Sequence, residues 1–295
     1  MHPIERFHPF SDETKFGKLE FLGGLHVASD DPHFGGLSGI RVIGDRMVAI
    51  SDAGYWFDAR LVRTDGRLTG LTDMRTTPML DENGREFRAK WEIDAEGLER
   101  VEDAWLVSTE RDLRVALYQS DPFAMPVEAR TVMRPPTGLR GNRGLEAIVR
   151  QGPTAGEVIA ISEDSLDADG NIRAFALKTY GRTKAPRELS IRKRGVYGIT
   201  DAASLARGDI LLLERRFSLA AGLGMRIRRI DGRTVAAGAV LDGEVLIEVS
   251  LPHQIDNMEG LAVSPHPEGH RLTLVSDDNR SLLQRTLVLE FLLRE

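Results

Sequence analysis

The sequence predicts an all-β protein, a β-propeller with four-stranded blades, on three observations. A two-part motif recurs five times in the same order. The units it marks are about 50 residues long and carry no helical periodicity between their strand signals. Glycine is abundant, 29 of 295 residues, as expected of a chain with many turns between short strands. The rival fold is a β-sandwich or jelly roll, which would leave the ordered repetition to coincidence.

The first half of the motif is a glycine followed by an aliphatic residue that opens a strand; the second is an apolar strand ending in an acid, usually after serine. Gly36-Leu37-Ser38-Gly39-Ile40 precedes Met47 to Asp52, and Gly97-Leu98-Glu99 precedes Trp105 to Glu110. Gly144 to Ile148 precedes Val158 to Glu163, Gly198 to Asp201 precedes Ile210 to Glu214, and Gly260 to Val263 precedes Leu272 to Asp277. From glycine to acid the distance is 13 to 19 residues, the span of a β-hairpin with a short loop. Further strands follow each acid: Arg114 to Tyr118 and Met225 to Ile230 alternate with period two. Asp-Gly pairs at 65–66, 169–170, 231–232 and 242–243 read as hairpin turns. The 71-residue closure from Gly260 through the termini to Gly36 leaves room for a degenerate sixth blade. Thr286 to Leu292 is expected to pair with an N-terminal strand near Phe16 to Val27, which closes residues 1–295 into one ring without an open edge.

Composition excludes several function classes. The net charge of −6 argues against a dedicated nucleic-acid binder. The absence of cysteine removes disulfides, thiolate metal sites and a cysteine nucleophile. No apolar stretch is long enough to span a membrane as a helix, and Met1 to Phe7 contains no apolar core of a signal peptide. A Gly-x-Ser-x-Gly nucleophile elbow, His-Glu-x-x-His and a phosphate-binding Gly-Lys-Ser/Thr are also lacking. Residues 165–176 fail as an EF-hand because position twelve is Ala176, and a plain hairpin turn is expected there. His266 and His270 are separated by prolines and read as solvated loop residues.

Antiparallel pairing returns the end of each second strand to the start of the first, so the motif residues should gather at one mouth of the central channel. That places Asp52, Glu96, Glu110, Glu146, Glu163, Glu214, Glu259 and Asp277 together. Carboxylates crowded in a concave site raise their pKa values, pair with cations or bind metal. An all-oxygen donor set suits a hard cation such as Ca²⁺, with Asp52, Glu96, Glu146 and Glu259 as ligands. Glu110 and Asp277 are the candidate proton-transfer groups. Arg111, Arg143 and Arg215 are candidates for holding an anionic or ester substrate, with His33 beside them; Arg216 and Arg280 lie in the same segments. The alternative role for the acids is structural: capping blade turns and pairing with arginine.

Six segments carry a family resemblance: Gly35-Gly36-Leu37-Ser38-Gly39-Ile40, Ser51-Asp52-Ala53-Gly54, Asp94-Ala95-Glu96-Gly97-Leu98, Asn142-Arg143-Gly144-Leu145-Glu146-Ala147, Asn257-Met258-Glu259-Gly260-Leu261-Ala262 and Ser276-Asp277-Asp278-Asn279. As an ordered set they resemble the phytase-like family, described as having esterase-like activity, from about residue 20 to the C-terminus. The resemblance implies a propeller, exported bacterial relatives and hydrolysis of an ester or phosphoester. Six blades are usual in such enzymes, against the five repeats counted here. The family points to a periplasmic or exported protein, whereas the N-terminus carries no export signal and leaves the cytoplasm open. The expected function is metal-assisted hydrolysis of a small anionic or ester substrate at the channel mouth. A non-catalytic binding propeller with structural calcium and a calcium-dependent lactonase are the alternatives, since one fold hosts many functions.

Overall fold

The computed structural model describes the chain except for residues 137, 140–143, 152–155, 180–184, 219–221 and 282. It is an all-β, five-bladed propeller, and the sixth blade that the long closure allowed is absent. In order from the axis, blade one is Leu37–Ile43, Arg46–Ser51, Tyr55–Thr64 and Arg67–Pro78; blade two is Ala95–Val101, Ala104–Thr109, Arg114–Gln119 and Ala129–Met133. Blade three is Leu145–Arg150, Glu157–Leu166, Ile172–Lys178 and Arg187–Ile191, with the short parallel strand Val240–Leu241 added at its edge. Blade four is Gly198–Ser204, Ile210–Ser218, Gly222–Ile230 and Gly243–Ser250. Blade five runs Asn257–His266, Gly269–Asp277, Thr286–Arg294 and then Leu19–Val27, from the other end of the chain.

The closing strand pair is antiparallel, with Leu289 opposite Gly24 and Val288 opposite Leu25. The residues of the 71-residue closure are used here and in the short N-terminal strands His2–Ile4 and Lys15–Phe16.

Five separate apolar clusters fill the five blade–blade interfaces, which explains why the second strand of a blade is apolar on both faces. In Ile210 to Leu213, Ile210 and Leu212 pack toward blade three while Leu211 and Leu213 pack toward blade five. Val158 and Ala160 face blade two, and Ile159 and Ile161 face blade four. A strand buried on both faces reads as a continuous apolar run instead of an alternation.

The repeat glycines fall into two structural classes. Gly36, Gly144 and Gly198 sit at the mouth end of their inner strands, but Gly97 and Gly260 lie deeper, inside theirs. Each inner strand has a register break near its start, and Gly39, Gly97, Ala147, Asp201 and Gly260 are equivalent by pairing around it. Glycine at this level serves close approach between blades. A Cβ on Gly97 would sit 2.6 Å from Glu146 O, and one on Gly260 would sit 2.8 Å from Ser38 O.

Three sequence expectations need correction. Asp65-Gly66 and Asp169-Gly170 are hairpin turns, but Asp231-Gly232 starts a single 3₁₀ turn and Asp242-Gly243 leads into a strand. His270 is a buried strand residue within 3.2 Å of Glu295. The stretch resembling a calcium loop is, as expected, a turn: Asp167 accepts from the backbone N–H groups of Asp169 and Asn171.

Candidate functional site

The channel mouth is built from two tiers of equivalent residues. The lower tier sits at the register breaks and is Ser38, Glu96, Glu146, Thr200 and Glu259, one per blade. A bulge gives one strand an extra residue and re-aims its side chain. The upper tier ends the second strands and is Asp52, Glu110, Glu163, Arg215 and Asp277. Its equivalence follows from pairing, since Arg215 lies opposite Gly198 and Asp277 opposite Asn257. Asp52, Glu110 and Glu163 donate their backbone N–H groups to Gly36, Asp94 and Gly144, at the same level.

Pairing displaces Glu214 from the mouth. It lies one step deeper, opposite Ile199, and is buried in a network with Arg226 at 2.6 Å and with Arg228 at 2.5 Å. Its expected place is taken by a cation, Arg215. That guanidinium lies 2.9 Å from Glu259 and 3.4 Å from Glu163, and also donates to Asn257 Oδ1. Asn257 Nδ2 donates to Glu259 Oε1 at 2.7 Å.

Blade two contributes most of the remaining charge. Its entry loop ends in the short helix Lys90–Ile93, capped by Asp94 in the left-handed region at φ 44°. Lys90 pairs with Asp52 and lies 3.4 Å from Asp94 Oδ1. Arg111 donates to Asp94 Oδ2 at 2.8 Å. Asp94 Oδ1 is fully buried yet accepts no hydrogen bond among the described residues. One carboxylate oxygen from each of Asp94, Glu96 and Glu110 falls within 4.8 Å of the others, a spacing that fits one bound ion. Sequence reasoning missed Asp94 and Lys90. Asp94 stands directly before Ala95-Glu96-Gly97, and the motif count, anchored on Gly97, passed over it.

The mouth thus combines eight carboxyl groups, Asp52, Asp94, Glu96, Glu110, Glu146, Glu163, Glu259 and Asp277, with three cations, Lys90, Arg111 and Arg215. Burial, then repulsion from Glu146 and Glu259, holds Glu96 well above the usual carboxylate range. Burial and Glu163 do the same to Glu146. Burial pushes Glu259 to about 8 despite Arg215 beside it. Burial and Asp94 bring Glu110 to about 7. Burial also brings Asp277 to about 7, against the stabilising N–H of Asn279. Neither Glu96 nor Glu146 makes a hydrogen bond or ion pair among the described residues. Arg143 lies outside the described residues. His33 stands at the rim, exposed and stacked on Tyr55 with ring centroids 4.4 Å apart.

Below the tiers the channel is closed. Arg41, three residues or about 10 Å further along its strand, donates to the carbonyls of Ile40 (2.6 Å), Ile148 (2.8 Å), Ala202 (2.9 Å) and Leu261 (3.2 Å). Glu99 and Asp201 each lie 3.4 Å from it. One guanidinium therefore touches all five inner strands and fills the axis beneath the acid mouth. No helix among the described residues is long and apolar enough to cross a membrane.

Comparison with known proteins agrees with this architecture. Glutaminyl cyclase of Myxococcus xanthus superposes with a TM-score of 0.50 at 13% identity, over 94% of this chain and 96% of that one. The PQQ-bound aldose sugar dehydrogenase of Streptomyces coelicolor gives 0.46 at 15% identity, over 96% and 100%. At 13% identity the cyclase speaks to the fold alone. No curated protein sequence matches the chain. The family model described as "Phytase-like: Esterase-like activity of phytase" matches residues 32–280, which take in every inner strand and both tiers of the mouth, and the chain belongs to that phytase-like family.

Proposed function

We propose that the protein is a cation-assisted hydrolase of an ester or phosphoester acting at the acid mouth, with Ca²⁺ as its ion. The observation that carries this reading is the pair Glu96 and Glu146, carboxyl groups lodged at the bulges with no protein partner among the described residues. A structural acid cap would be hydrogen-bonded; two carboxyl groups without such bonds favour a role toward a ligand. Asp94, whose buried Oδ1 accepts no hydrogen bond among the described residues and faces only the Lys90 ammonium at 3.4 Å, and Glu110 complete an oxygen-only donor set around Glu96, the chemistry a hard cation prefers. Glu146 and Glu259 would face the same ion from blades three and five. Asp52, expected among the ligands, is instead held by Lys90 and would set the charge beside the ion.

A bound cation would supply Lewis-acid polarisation of the substrate oxygen. The chain's own groups account for the rest. Asp277 exchanges a proton near neutrality, as a general base or acid should, while Glu110, the other proton-transfer candidate, would be held ionised in the donor set. Arg111 is half-exposed above Asp94 and positioned to meet an anionic group entering the mouth. Arg215 holds Glu163 and Glu259 in place, and Arg41 stops solvent from passing through the axis.

The test is a calcium titration followed by melting temperature, together with hydrolysis of aryl esters, aryl phosphates and lactones, for wild type and for Glu96→Gln with Glu146→Gln. The reading expects calcium to raise the melting temperature and support turnover in wild type only. Stabilisation by calcium without turnover on the panel would favour a binding propeller with a structural ion. No effect of calcium would end the metal reading.

A further inference from the structure

Beside the acid ring, between blades one and five, lies a cavity of about 370 Å³ whose chemistry is opposite to that of the mouth. It is lined by Arg88, Lys90 and Arg280, by the stacked rings of His33 and Tyr55, and by Asn279. Asp52 at its inner end is neutralised by Lys90. Arg88 and Arg280 have no carboxylate partner among the described residues, in a chain of net charge −6 where most arginines are paired with an acid. Two guanidinium groups without a carboxylate partner in one concave space form a receptor for an oxyanion.

The loop carrying Arg280 is fixed in place. Asn279 and Arg280 adopt consecutive left-handed conformations, φ 47° and 50°. Asp277 accepts the N–H of Asn279 at 2.7 Å, and Asp278 accepts that of Arg280 at 3.0 Å. Asp278 also ties this loop to blade one through Gly36 N at 3.3 Å. Arg280 Nη2 donates to His33 O at 3.4 Å, joining the guanidinium to the segment that bears the aromatic wall.

We propose that this cavity is a specificity subsite that binds a planar, oxyanion-bearing part of the substrate, a phosphate or carboxylate on a flat ring, while the scissile bond lies over the acid ring. The assignment rests on the hydrolase reading only for the second half of that statement. Arg88 and Arg280 grip the anion, Lys90 cancels the charge of Asp52 that would oppose it, and His33 with Tyr55 flanks the ring.

The experiment measures binding of phenyl phosphate, benzoate, inorganic phosphate and phenol by calorimetry, in chelator so that no ion can bridge the probe. Wild type should bind phenyl phosphate or benzoate at least tenfold more tightly than phenol. The Arg88→Ala/Arg280→Ala variant should lose that preference at unchanged melting temperature, because both side chains are exposed. His33→Ala should weaken phenyl phosphate but not inorganic phosphate. Phenyl phosphate ahead of benzoate identifies phosphate as the anion, and the reverse order identifies carboxylate. Glu96→Gln/Glu146→Gln should bind the anionic probes as wild type does, so the subsite can stand even if hydrolysis is never found. Equal binding of phenol and the anions, or undiminished binding by the double arginine variant, would overturn the proposal.

Discussion

Arg41 and the bulge glutamates are buried in the same ring of inner strands, about 10 Å apart along the strand direction, and are satisfied in opposite ways. Arg41 has four carbonyls and two carboxylates around one guanidinium. Glu96 and Glu146 have no partner among the described residues and are pushed toward the neutral form. A buried charge with every bond made belongs to the architecture; one left open at a solvent-facing mouth marks where a ligand belongs. Arg215 shows the boundary between the two, since a cation at one of five equivalent acid positions neutralises its neighbours without closing the site.

The contrast breaks most severely at Arg41. Arg41→Met would leave Asp201 as a buried carboxyl without its cation and four carbonyls without their donor, while Glu99 keeps Arg150 3.5 Å away. Removing one partner of a buried pair costs about 3–5 kcal/mol. Urea unfolding should show that loss whether or not calcium is present. A loss below 1 kcal/mol would mean that the axial guanidinium does not hold the ring.

At the mouth the sign should reverse. Glu96→Gln with Glu146→Gln removes two carboxyl groups that resist ionisation, so the metal-free protein should melt higher at pH 8 than wild type. Calcium at a hundredfold its Kd should add about 2.7 kcal/mol to wild type and nothing to the variant. A lower metal-free melting temperature would show that these glutamates are structural caps after all.

The pH profile sharpens the same point. Glu259 at about 8 and Asp277 and Glu110 at about 7 in the folded protein all lie above their unfolded values. Between those values the unfolded chain has released protons that the folded one retains, so raising the pH favours unfolding. In chelator, stability should fall progressively from about pH 4 to pH 8. Calcium should flatten that slope by favouring the ionised carboxylates. Stability that rises over this interval in chelator would show that the acids are already compensated.

Much of this was legible in the sequence, and the rest was hidden for identifiable reasons. The five hairpins follow from apolar runs that end in acids, the pairing of Thr286–Arg294 with the N-terminal Leu19–Val27 from an apolar strand at the C-terminus, and Glu96, Glu146 and Glu259 at the mouth from their places beside the repeat glycines. The register of the repeat did not, because glycine serves two purposes: at Gly36 and Gly144 it opens the inner strand, at Gly97 and Gly260 it admits a neighbouring backbone. Taking the acid that ends each apolar run as the mouth residue made Glu214 a mouth acid, although it stands at the level of Ser51, Ser162 and Ser276 and Arg215 holds the next place. Arg41 gave no signal, since nothing in Gly39-Ile40-Arg41-Val42 distinguishes an axial plug from a surface arginine. The cationic cavity joins residues about 190 positions apart, Arg88 and Arg280, which only ring closure brings together.

The smallest effect concerns the two blades whose lower-tier residue is a hydroxyl. Ser38 Oγ donates to Ala95 O at 2.6 Å, and Thr200 Oγ1 donates to Met258 O at 3.0 Å, so each bridges to the next blade at the level where the other three blades place glutamate. If the tier divides into bridging and ligand-facing positions, Ser38→Ala removes one buried hydrogen bond and leaves Ala95 O unpaired there. The cost should be about 1 kcal/mol, with the calcium-induced shift intact. Glu146→Gln, at an equivalent position, should show the converse: no loss of metal-free stability and a collapsed calcium shift. Denaturant midpoints with and without calcium separate the two. A Ser38→Ala variant that loses the calcium response would make the hydroxyl part of the ion site and erase the division.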